Sequence, residues 1–230
     1  MSRTRISARP TFRNLAAWSA GVAVIVGAFM LSSAPQARGA MQGAMQQPAP
    51  KPFPLTLTIA DGTTANYRVR EQLVGISFPN DAIGTSTAVT GEIVFNKDGS
   101  IDSSKSNLVF DLRTLKSDQS MRDGFIQGRT LQTSQYPNAV FVAKTITGMP
   151  NPLTGQFGFE LSGDMTIHGT TAPLTWQGIA TVDGRSGTVS GRISTGFPFE
   201  KFGMSPPKIF RVMSVNDSIT LEVAYHAKIS

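Results

Sequence analysis

Few side chains in this 230-residue chain can do chemistry, and their spacing limits them further. There is no cysteine, which removes disulfides, thiolate nucleophiles, Cys-ligated zinc and iron–sulfur clusters together. Two histidines remain, His168 and His226. A histidine base needs a nucleophile and an orienting partner. Asp164 stands four residues before His168, so in a strand the two share a face but lie too far apart for a direct bond. A histidine that stabilises the turn before Gly169 is the simpler reading. His226 falls on a polar, outward face, and two histidines on separate strands make a weak metal case. Arg122 and Asp123 lie side by side in a short helical segment. They either meet a ligand headgroup or, the preferred reading, tie the helix to its surroundings. No catalytic residue, metal or cofactor is assigned.

The elements that must position these residues are mostly strands. From about residue 55 the dominant period is two. Phe157, Phe159, Leu161, Gly163, Met165 and Ile167 hold the odd positions, with Glu160, Ser162, Asp164 and Thr166 between them. The same alternation runs through 174–182, with Ile179 the one residue out of phase, through 188–197 and through 219–229. Asp98-Gly99 and Asp183-Gly184 mark hairpins. Seven or eight consecutive antiparallel strands with one apolar face must close on themselves or pack face to face. Ser117 to Gly128 interrupts them as a short helix, with Met121 and Phe125 on one side, expected to plug an end.

The interior is open to two readings. The inward phenylalanines and methionines either fill a solid core or line a slender ligand space, which an eight-stranded barrel is just wide enough to hold. Gly91, Gly163, Gly178, Ala180 and Gly191 on the inward set favour unfilled space, although small residues also mark sheet bends. The proline-broken stretch Phe197 to Met213 carries Phe199, Phe202, Met204, Ile209, Phe210 and Val212. It is expected to cover the mouth or pack the base.

The net charge of +6 divides unevenly. Residues 1–40 hold five arginines and no acid, leaving 16 basic groups against 15 acidic ones in the rest. That balance sets nucleic-acid binding aside. The leader reads basic (Arg3 to Arg13), apolar (Leu15 to Leu31), then small residues to Ala40, the order of an export signal. The apolar run is 17 residues, so a retained signal anchor attached to the membrane through 15–31 is the alternative. Either way the remainder lies outside the cytoplasm, in the periplasm or on the outer face. Residues 41–54, with Pro48, Pro50, Pro52 and Pro54, read as a Pro/Gln-rich linker. Residues 55–230 form the domain.

Three motifs resemble the YceI-like family of exported bacterial proteins. They are Ser120-Met121-Arg122-Asp123 with Tyr136-Pro137-Asn138-Ala139-Val140-Phe141, then Leu161 to Gly169 closed by Pro173-Leu174-Thr175, and Lys201-Phe202-Gly203-Met204. The resemblance spans roughly Tyr67 to Ile229. It departs at Gly128-Arg129-Thr130-Leu131, where the family has paired aromatics, and at Phe197-Pro198-Phe199-Glu200, where it has an arginine. It implies an all-β, antiparallel up-and-down lipocalin-like barrel of about eight strands with one short helix. Its interior would hold an isoprenoid lipid, polyprenyl or quinone, for carriage, storage or scavenging. The ligand-binding candidates are Phe95, Phe110, Phe125, Phe159, Met165, Ile167, Trp176, Ile193, Phe197, Phe199, Met204 and Leu221. Two rivals are a small envelope hydrolase or isomerase using Asp164, His168 and a serine, and a ligand-free interaction domain. A homodimer is left open.

Overall fold

The computed structural model describes residues 50–75, 77–208 and 212–230. The leader, most of the linker, Ile209 and Phe210 lie outside them. The period-two stretches become strands. These are β1 (Leu55–Ile59), β2 (Thr64–Leu73), β3 (Asn80–Ser86), β4 (Val89–Phe95), β5 (Asn107–Asp111) and β6 (Lys116–Ser117). After the helix α1 (Ser120–Phe125) come β7 (Asn138–Thr147), β8 (Gln156–Ile167), β9 (Thr170–Asp183), β10 (Thr188–Phe197) and β11 (Val212–Ile229).

The strands close into a ring in the order β1, β4, β5, β7, β8, β9, β10, β11 and back to β1. The shorter strands prolong this ring. Along β11, Ile59 opposes Ala227 and Thr64 opposes Ala224, so β2 continues β1 with residues 60–63 bulged between them. In the same way β3 prolongs β4, and β6 prolongs β5. The result is an antiparallel barrel of eight staves with one short helix. Strand parity decides what faces inward. Leu161, Met165, Ile167, Leu174, Trp176, Val189, Ile193, Val223 and Tyr225 are buried, whereas out-of-phase Ile179 is 44% exposed.

The inward glycines do not leave empty space, contrary to expectation. A methyl group on Gly178 would stand 2.5 Å from Phe159 Cζ and 2.6 Å from Ile193 Cγ2. One on Gly191 would stand 2.6 Å from the Tyr225 hydroxyl, and one on Gly163 would be 2.8 Å from Phe141 Cζ. Each glycine lets an aromatic ring from a neighbouring stave lie flat across the sheet.

The helix is shorter than the pattern suggests. Ser117 stays extended in β6 because its N–H and hydroxyl both donate to the Asp123 carboxylate, at 2.8 and 2.6 Å. Helix α1 then starts at Ser120 and runs into a π turn, Ile126–Thr130. It buries none of its residues fully, so it covers an end of the barrel without filling it.

Candidate functional site

Beside α1 the ring of staves parts. β6 pairs with β3, whereas β7 begins at Asn138 on β5, so the helix and its π turn span the gap between β6 and β7. Behind this gap lies a cavity of about 770 Å³. Its wall comes from β2, β3, the end of β5, α1, the start of β7, the ends of β8 and β10, the middle of β9, the first part of β11, and the segment after β10. The wall is mainly apolar, and exposed Val74, Asp118, Gln119 and Met121 mark its mouth.

Nine of the twelve candidate residues meet here: Phe110, Phe125, Met165, Ile167, Trp176, Phe197, Phe199, Met204 and Leu221. The other three, Phe95, Phe159 and Ile193, line a second void of only about 70 Å³ at the opposite end. Phe110 and Val223 border both spaces. Trp176 packs edge-on against Phe141, with ring centroids 6.1 Å apart, in the floor of the large cavity. Its Nε1–H is buried and has no hydrogen-bond partner among the described residues. The stretch after β10 reinforces this end of the barrel. Phe197, Phe199, Phe202 and Met204 are buried, with Phe197 and Phe202 edge-on at 4.8 Å.

The far end is filled. Leu153, in the β7–β8 connection, is fully buried, and its amide and carbonyl pair with those of Lys51 at 2.9 Å. Phe53 packs on Phe95 at 5.5 Å. Residues 51–53, which composition places in the linker, thus lie against the barrel.

Composition and period did not reveal the polar part of the cavity. Glu71 of β2 takes the inward phase, is 8% exposed, and accepts from Arg122 Nη2 of α1 at 2.9 Å. Arg122 also pairs with Asp118. Burial opposes its charge, but the hydrogen bond to Asp118 and the nearby Glu71 carboxylate outweigh that and raise its pKa. Next to them the Tyr67 hydroxyl is pushed up to about 12, first by burial, with Arg122 pulling the other way. The only sequence signal was an acid on the apolar phase of Tyr67-x-Val69-x-Glu71. Arg122 and Asp123 do tie the helix to β2 and β6, and Arg122 lines the cavity as well.

Asp164 and His168, the residues named for the catalytic rival, take separate partners. Asp164 pairs with Lys144 at 2.6 Å on the outer face. His168, at a positive φ of 51° in the β8–β9 turn, packs edge-on against Tyr136 at 5.0 Å. His226 is exposed. Among the described residues no cluster of three or more His, Asp or Glu could hold a metal ion.

An eight-stave barrel with a large apolar cavity under a short helix defines a lipocalin-like class of fold. The YceI-like domain matches residues 59–227, and the chain belongs to that family. The polyisoprenoid binding domain from Saccharophagus degradans has a similar structure, with a TM-score of 0.53 at 9% identity. That match covers 76% of this chain and 99% of that one. Burkholderia cenocepacia BcnA matches at a TM-score of 0.50 and 14% identity, over 73% and 96% of the two chains. The Campylobacter jejuni YCEI protein matches at 0.50 and 17%, over 68% and 88%. No curated protein matches this chain in sequence.

Proposed function

We propose that this chain is an exported, non-enzymatic binding protein that encloses a long isoprenoid lipid, polyprenyl or quinone, for carriage, storage or scavenging. The observation that carries this reading is the 770 Å³ apolar cavity with its few polar groups gathered near one mouth. Its size falls within the roughly 300–1,000 Å³ range of small-molecule sites. Transferring an apolar chain into it is favourable by about 0.8 kcal/mol per buried CH₂, before the cost of ordering the chain. The polyisoprenoid binding of a structural relative supports the ligand class. The basic, apolar, small-residue leader supports export.

Organic extraction and mass spectrometry of the protein from a bacterial host tests this directly. A polyprenyl or quinone species near one per chain is expected. Folded, never-delipidated protein that yields no such lipid would overturn the proposal. A pair of variants locates the ligand. Met165→Arg places an unpaired charge in the cavity wall and should abolish lipid uptake, since such burial costs several kcal/mol. Thr166→Arg points outward and should leave uptake unchanged. The opposite result would mean that the ligand lies elsewhere.

A further inference from the structure

We infer that the rim of the cavity mouth is a docking collar for a lipid bilayer, across which the apolar cargo enters and leaves. The cargo rests on the binding reading above; the docking does not. Five large apolar side chains are conspicuously exposed among the described residues, and four of them surround this one end. Val74 (61%) and Phe78 (79%) lie in the β2–β3 hairpin, Met121 (87%) on α1, and Met213 (69%) beside Val212, which pairs with Leu73. The fifth, Ile179, is on the outer wall of β9. Single exposed apolar residues need no explanation, but a contiguous set marks an interaction surface. These come from three separate parts of the chain, so the fold gathers them. Val74 and Met121 also line the cavity, which makes the collar continuous with the binding space.

The charges around the collar suit the same partner. Asp81, Asp111 and Asp118 are held by Arg68 and Arg70, Arg113, and Arg122. Asp123 and exposed Asp217 keep their charge, accepting from the neutral donors Ser117 and the Phe199 amide. Exposed Lys116, Arg129 and Lys208 make no ion pair among the described residues, against two exposed acids without an ion pair at this end, Asp217 and Glu200, the latter with Lys201 beside it. Apolar tips flanked by unpaired cations fit a surface of acyl chains under anionic phosphates. The filled end instead presents the polar turns at Asn96-Lys97-Asp98 and Asp183-Gly184-Arg185.

The test uses the full chain, its leader common to all variants, with vesicles of phosphatidylcholine and phosphatidylglycerol in equal parts. Phe78→Trp should lose most of its added emission when the acyl chains are brominated, whereas Lys97→Trp at the filled end should not. Phe78→Asp with Met213→Asp should slow transfer of a long-chain ubiquinone between vesicles about tenfold, with quinone still bound. Equal quenching at both positions, or none at position 78, overturns the collar. A double variant that loses self-association, with position 78 unquenched, assigns the surface to a second copy and overturns it too. A chain that docks but takes up no quinone removes the cargo reading and leaves the collar standing.

Discussion

The two halves of the barrel share the same eight staves but enclose about 770 Å³ of space at one end and about 70 Å³ at the other. At the filled end the ladder runs without a register shift from β8 through β11, and glycines admit aromatic rings across it. The β7–β8 connection supplies Leu153 from beneath. At the open end β6 and β7 separate, and a helix with no fully buried residue stands in for the missing ladder. Small side chains such as Ala65, Ala82, Ser86 and Ala139 line that end. The comparison teaches that inward glycines are a poor guide to empty space.

Truncation is the hardest test of this contrast. Phe95→Ala, at a residue 1% exposed in the filled half, removes a ring that close packing cannot replace. It should cost about 3–5 kcal/mol in denaturant unfolding. Leu221→Ala in the open half enlarges a space that already exists, and about 1 kcal/mol or less is expected. Equal losses would show that the open half is packed in solution.

Enlargement should give the reverse picture with smaller numbers. Ala180→Phe pushes a ring against the filled-half packing and should destabilise by about 1–3 kcal/mol. Ala139→Phe grows into the large cavity, so stability should stay within about 1 kcal/mol of the parent while lipid uptake falls. Uptake that survives Ala139→Phe would place the ligand away from β7.

The smallest effect is a pH dependence. The Tyr67 pKa rises from 10.0 to about 12 on folding, so between those values the folded state holds a proton that the unfolded state has lost. Stability is then full below pH 10 and falls as pH climbs towards 12. In the filled half burial pushes Tyr225 further in the same direction, with no guanidinium to offset it. Tyr67→Phe should remove part of the alkaline loss and Tyr225→Phe a larger part, read from melting temperatures across that range.

Much of the fold was legible because alternation is unambiguous where one face is buried. The hairpin at Asp183-Gly184 falls between β9 and β10 as read. The one at Asp98-Gly99 is longer than the motif suggests, because Phe95 bridges to Ile101 and the next strand waits until Asn107. Phe95, Phe159 and Ile193 carried the same inward signature as Met165 and Trp176, yet they line the other void. Glu71 was hidden because an acid in a polar run reads as solvated until its partner is known.

By itself the sequence determined which residues face inward, since side chains on an extended backbone alternate by local geometry alone. It also determined, through three motifs, the family, whereas the strand pattern alone left closure and face-to-face packing both open. The height of each inward residue along the barrel axis was decided only by the tertiary structure, which sets the stagger between staves. The same is true of the parting of β6 from β7 and of the meeting of Arg122 with Glu71, 51 residues apart in sequence. These depend on pairings between distant segments, and period two carries no information about which distant segment a strand will meet.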